Sequence, residues 1–228
     1  MKKMFTALLA TAAVMVATGA SAATVTISTL TDAPNAGAIY TTFNGNVLGN
    51  TTQSAGNGVT VSFTGGGAFV NGGVAGQYAA PLVSATNGAA FGQTAGADTT
   101  NYISSGVGSA TLAFATPTTY LGLLWGSIDS FNTLRFNFAD GTFQNVTGAS
   151  FGSLADTSTS RYVNFTANGS AITSIVASST INAFELDNVA FNGAAVPEAA
   201  TWAMMMVGLG IAGGTLRRRR VSARVRFA

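Results

Sequence analysis

Hydrophobic and polar residues alternate in short bursts through the middle of the chain. In Val59-Thr60-Val61-Ser62-Phe63, the apolar Val59, Val61 and Phe63 fall on one side of an extended backbone, the pattern of a half-buried strand. Leu134-x-Phe136-x-Phe138 and Tyr162-Val163-Asn164-Phe165 set large apolar residues beside polar ones in the same way. Short runs rich in β-branched and aromatic residues also cover 111–114, 120–125, 133–138, 142–146, 161–165, 172–177 and 183–191, and each predicts a strand. Thr24 to Ile27 is expected as a first strand at a sheet edge. Asp140-Gly141 predicts a two-residue hairpin turn with φ > 0 at both positions, and Asn168-Gly169 reads the same way. Between the two ends, no window carries apolar residues at i, i+3, i+4 and i+7 over three turns. Residues 65–96 are dominated by Gly, Ala, Asn and Thr with scattered Phe69, Tyr78 and Phe91, a composition that fits long loops, irregular strands or a flexible lobe. Many short strands with regular turns predict an all-β fold, a two-sheet β-sandwich of jelly-roll type.

The two ends break this pattern. Lys2 and Lys3 precede an apolar run from Met4 to about Ala17, and Gly19-Ala20-Ser21-Ala22-Ala23 closes it. A basic start, a short apolar run and small residues at Ala20 and Ala22 predict a secretory signal peptide over 1–22, cut after Ala22. At the other end, Ala199 to Leu216 is an uncharged, mostly apolar stretch of eighteen residues. As a helix it would be about 27 Å long, near the ~30 Å of a hydrocarbon core, and is expected as a transmembrane helix over 199–216. Arg217, Arg218, Arg219 and Arg220 follow at once, and clustered arginine marks the cytoplasmic side of a span. Residues 221–228 then form a basic cytoplasmic tail, and the body, 23–195, faces the periplasm as one domain.

Setting the ends aside reverses the charge. The whole chain carries a formal +2. Between residues 24 and 196 the only bases are Arg135 and Arg161, against Asp32, Asp98, Asp129, Asp140, Asp156, Glu185 and Asp187, a net of −5. An acidic body argues against a nucleic-acid partner. The chain has no Cys and no His, which excludes disulfides, a Ser-His-Asp triad and zinc held by Cys or His. Stability must come from core burial and sheet hydrogen bonding.

Glu185 and Asp187 stand two apart on one predicted strand, so their side chains share a face. With Asp129 they are candidates for an oxygen-rich Ca²⁺ site or for glycan contact, and a carboxylate pair is also the equipment of glycoside hydrolysis. The plainer reading makes them strand-end acids that accept backbone hydrogen bonds or pair with Arg135 and Arg161. No cofactor other than such a Ca²⁺ is expected. Trp125, within Leu123-Leu124-Trp125-Gly126, reads as a core aromatic rather than a sugar platform, and Phe136, Phe138, Phe143, Phe165, Phe184 and Phe191 are core candidates.

Val196-Pro197-Glu198-Ala199-Ala200-Thr201-Trp202-Ala203, then Gly208-x-Gly210, Leu216 and four Arg, closely resembles the PEP-CTERM sorting signal in its PEPxxWA form. Val196, Pro197, Glu198, Trp202 and Ala203 carry the motif, and Ala199 stands where the family has a second proline. The resemblance covers 196–220 and implies recognition by an exosortase, a membrane protease-transpeptidase. It further implies passage through the Sec translocon, anchoring in the inner membrane, and delivery to the cell surface or exopolysaccharide matrix of a Gram-negative bacterium. Residues 105–192 resemble an exosortase-dependent surface protein family through Trp125-Gly126-Ser127-x-Asp129, Arg161-Tyr162-Val163-Asn164-Phe165 and Phe184-Glu185-Leu186-Asp187-Asn188. That family brings no known reaction. The expected function is therefore a non-enzymatic surface or matrix protein, with a carbohydrate-binding module and a weak glycan hydrolase as alternatives.

Overall fold

The computed structural model describes residues 23–31, 33–154, 160–192 and 205–214. The expected signal peptide with Ala20 and Ala22, the sorting residues Val196, Pro197, Glu198, Trp202 and Ala203, and the cluster Arg217–Arg220 lie outside the described residues.

Among the described residues, fifteen strands form two large antiparallel sheets and one small one. They are β1 (Thr24–Thr31), β2 (Ile39–Thr41), β3 (Gln53–Gly56), β4 (Val59–Gly65), β5 (Ala68–Val70), β6 (Leu82–Val83), β7 (Gly96–Ala97) and β8 (Tyr102–Ser104). Then come β9 (Gly108–Thr118), β10 (Tyr120–Trp125), β11 (Asn132–Phe138), β12 (Phe143–Thr147), β13 (Arg161–Asn168), β14 (Ile172–Ser179) and β15 (Glu185–Phe191). The seven-stranded sheet runs β1-β13-β10-β15-β8-β5, with β2 also paired to β15, and the six-stranded sheet runs β12-β11-β14-β9-β4-β3. From β8 to β15 the chain passes between the two sheets at every step except the β11–β12 hairpin. β1 lies at a sheet edge, as its sequence predicts.

The two sheets pack face to face through aromatic pairs. Phe114 meets Phe191 at 5.3 Å between ring centroids, Phe136 meets Phe165 at 4.9 Å, and Phe63 meets Phe69 at 4.9 Å. Trp125 is fully buried, stacked on Phe184 at 4.3 Å and edge-on to Phe151. Of the expected core phenylalanines, Phe143 alone is placed differently. It is 54 % exposed on the edge strand β12, with the Arg135 guanidinium 3.8 Å above its ring. On that strand Val146 points inward, and the period of two sends Phe143 to the other side.

Two turns also differ from their expected form. At 139–141 only Gly141 has positive φ (83°), Gly141 N–H donates to Phe138 O, and Phe138 N–H donates to Thr142 O. This is a three-residue loop closed by a left-handed glycine, held by Asp140, whose carboxylate accepts from Thr142 N–H and Thr142 O–H. Asn168-Gly169 joins β13 to β14, strands of different sheets, so it is a crossover rather than a hairpin.

Residues 71–100 form an ordered lobe over the outer face of the seven-stranded sheet. It holds the β6–β7 pair and a single short helix, α1 (Ala85–Phe91). Ser84 caps α1 by accepting from Asn87 N–H at 3.1 Å, and Gly92 ends it at φ 71°. The lobe explains a feature of the sequence. Tyr120-Leu121-Gly122-Leu123-Leu124-Trp125 is buried at every position because its sheet is covered on both sides. Leu121, Leu123 and Trp125 enter the sandwich core, while Tyr120 and Leu124 join a second apolar cluster with Val83, Tyr162 and Ala190 under the lobe.

The expected transmembrane stretch 199–216 is described only over 205–214. There it is helical with every residue exposed, about 15 Å long by helical rise. Among the described residues, no helix is long and apolar enough to cross a membrane.

Candidate functional site

β15 carries the polar residues that matter most. Its backbone alternates, so Leu186 faces the sandwich core while Glu185 and Asp187 face the lobe. A bulge then interrupts the pairing with β10: Gly122 opposes Ala190 and Leu124 opposes Asp187, leaving Asn188 and Val189 across from Leu123. Asn188 takes φ 53°, a left-handed conformation that asparagine accepts more readily than most residues. The register shift returns Val189 to the core and lets Asp187 and Asn188, neighbours in sequence, both serve the outer face.

Glu185 and Asp187 share that face but enter different surroundings. The Glu185 carboxylate accepts from Ala79 N–H at 3.1 Å and lines a cleft of about 260 Å³ with Tyr78, Ser127 and Asn182. Burial pushes the Glu185 carboxyl up from the ordinary glutamate value, and the Asp129 carboxylate adds a smaller push. Gly126 makes room for this arrangement, because a Cβ there would stand 2.8 Å from Glu185 Cβ. A neighbouring cleft of about 420 Å³ shares Gln77, Tyr78 and Asn182 with the first.

Asp187 is fully buried and belongs to a second group. Gln93 Nε2 donates to Asp187 Oδ2 at 3.0 Å, to Thr100 Oγ1 at 2.8 Å and, at 3.4 Å, to Asp98 Oδ1. Asp98 Oδ1 also accepts from Thr100 N–H at 2.8 Å and Thr100 O–H at 2.6 Å. Asn188 Nδ2 donates to Asn87 Oδ1 at 2.6 Å and, through a short contact, to Gln93 Oε1. Burial first, and the adjoining Asp98 carboxyl second, hold the Asp187 carboxyl well above the usual aspartate range.

The three expected carboxylates therefore do not gather at one point. Asp129 stands with Glu185, and Asp187 stands with Asp98. Among the described residues, no group of three or more His, Cys, Asp or Glu side chains can hold a metal ion together. Arg135 does not pair with any of them. Its Nε donates to Asn137 Oδ1 at 2.9 Å, and its guanidinium covers Phe143. Sequence reasoning missed Asn87, Gln93, Asp98 and Thr100 as members of the site. The caps Ser84 and Gly92 were the available sign that α1 would fix Asn87 there.

Residues 195–220 match the PEP-CTERM protein-sorting motif, as the residues at 196–220 suggested. That motif implies an export sorting signal of exosortase-dependent surface proteins, with membrane-anchored transit in a Gram-negative bacterium before exosortase processing. No curated protein and no solved structure matches the chain.

Proposed function

We propose that this chain is a non-enzymatic surface protein: an exported β-sandwich released into the exopolysaccharide matrix after its tail is processed. The match at 195–220 is the observation that carries this reading. A signal peptide over 1–22 sends the chain through the Sec translocon. The apolar segment 199–216 lodges in the inner membrane, and Arg217–Arg220 keep their side cytoplasmic. The body reads as a jelly roll, supported by four-strand orders β13-β10-β15-β8 and β12-β11-β14-β9 linked by alternating crossovers. The absence of His and Cys from the sequence, and the separation of Asp187 from the Glu185–Asp129 pair, favour a structural role over a catalytic one.

Cell fractionation tests this placement. With the exosortase present, the body is expected at the cell surface or in the matrix, and without it in the inner membrane. A body that remains in the inner membrane in both strains contradicts the reading.

A carbohydrate-binding role is the second reading, favoured by the adjoining clefts that share Gln77, Tyr78 and Asn182. An aromatic edge flanked by amide groups is equipped to contact sugar hydroxyls and ring faces. Glycan-array binding that is lost in Tyr78→Ala supports it, and a blank array removes it.

A further inference from the structure

The lobe holds two acids against the seven-stranded sheet, and among the described residues no base bonds either of them. Asp98 and Asp187 are 4 % and 0 % exposed, and the adjoining carboxyls bring two acidic groups out of water together. Buried charge on that scale needs a compensating partner. Gln93 supplies one amide, but three acceptor oxygens in fully enclosed positions have no hydrogen-bond partner: Asp98 Oδ2, Asp187 Oδ1 and Asn188 Oδ1. Orphaned buried acceptors are rare in folded proteins and call for a specific occupant.

The three side chains converge. Asp98, Asp187 and Asn188 each bond the head group of Gln93, which gathers them between lobe and sheet, and each also carries one buried oxygen without a partner. The free atoms of these three residues are hard oxygens, two of them on groups that carry negative charge when ionised, while the neighbouring Asn87 Nδ2 is also without a partner.

We propose that Asp98, Asp187 and Asn188 hold a divalent cation, Ca²⁺ by their donor chemistry, which clamps the lobe to the outer face of the seven-stranded sheet. Two carboxylates match the charge of the ion, and the amide oxygen adds a neutral ligand. Ca²⁺ takes six to eight oxygens in flexible geometry, leaving room for backbone carbonyls or water, whereas Mg²⁺ demands a near-octahedral cage. This site differs from the Asp129, Glu185 and Asp187 trio that the sequence suggests, and shares with it only Asp187.

The test uses the full chain in detergent, stripped with EDTA and titrated with CaCl₂ by calorimetry and thermal unfolding. One Ca²⁺ per chain is expected, with Kd of about 10⁻³ M or tighter, the range of extracellular modules, and with a higher Tm in Ca²⁺ than in EDTA. Asp98→Asn and Asp187→Asn should each weaken binding at least about tenfold. Asp140→Asn, at a surface turn, should leave it unchanged. No uptake and an identical Tm in Ca²⁺ and EDTA overturn the proposal. Binding that survives both Asp variants overturns it equally. If those variants fail to fold, hydrogen exchange of the wild-type chain decides. Ca²⁺ must protect 93–100 and 186–188, and protection confined to other segments refutes the site.

Discussion

The two faces of the seven-stranded sheet solve the same problem in opposite ways. The inner face is apolar: Leu186, Val189, Phe165 and Trp125 belong to the core between the two sheets. The outer face is buried as deeply, yet it is a mixture, with Tyr120, Leu124 and Tyr162 beside Asp187, Asn188, Asn164 and Glu185. The inner face is covered by another sheet, whose backbone is already satisfied by its own ladders. The outer face is covered by a lobe with little regular structure, so side-chain amides and carboxylates must hold it in place. Packing accounts for the first face apart from the buried indole N–H of Trp125, which has no hydrogen-bond partner among the described residues. The second carries polar groups that packing does not need, and candidate chemistry collects there.

The largest effect should come from the inner face. Phe184→Ala removes the ring stacked on Trp125, and a fully buried aromatic of this kind costs about 3–5 kcal/mol, read as a lower urea midpoint for the whole domain. Asn188→Ala should cost less, about 2–3 kcal/mol, through two lost hydrogen bonds and a left-handed backbone that alanine resists. Asn188→Gly keeps the backbone and loses only the bonds, so it should be milder than Asn188→Ala by about 1 kcal/mol. In both Asn188 variants, hydrogen exchange should speed up across 71–100 while β11 and β14 stay protected. Loss of protection in β11 and β14 as well would mean that the two faces are one cooperative unit, and the contrast would break.

A third prediction concerns pH. The folded-state pKa of Glu185 is raised above the ordinary value of 4.5, so the folded chain holds that proton longer than the unfolded chain does. Its ionisation therefore costs stability, which falls as pH rises from about 4.5 through the folded value and stays lower above it. Glu185→Gln should flatten that part of the stability–pH curve and still accept from Ala79 N–H. An unchanged slope would show that burial of Glu185 has no energetic consequence. The smallest effect is expected at the surface, where Arg135→Ala removes the cation over Phe143 and should cost about 0.5–1 kcal/mol by the same unfolding assay.

Much of the core between the two sheets was legible from sequence because alternation reports burial on one side. Val59, Val61, Leu134 and Phe136 were placed correctly for that reason, and the strand runs from 111 to 191 all appear. Phe143 misled because hydrophobicity does not say which side of an edge strand a residue takes. The outer face was harder to read. The lobe is rich in Gly and Ala, its helix has seven residues, and too few turns exist for a helical period to show. Glu185 and Asp187 were correctly placed on one face, but their partners come from far along the chain. Gln93 lies 94 residues before Asp187, and no local pattern couples them. The tail was legible in a different way, as a short ordered motif whose recognition does not depend on the fold.

Sorting remains the central claim, and intact-mass analysis of protein recovered from the cell surface tests it most directly. The account predicts a chain lacking the signal peptide and ending upstream of Arg217 when the exosortase is present, and retention of Arg217–Arg220 when it is deleted. Ala199→Pro, which restores the family's second proline, should raise the processed fraction. A tail that persists through Arg220 in both strains would contradict the account.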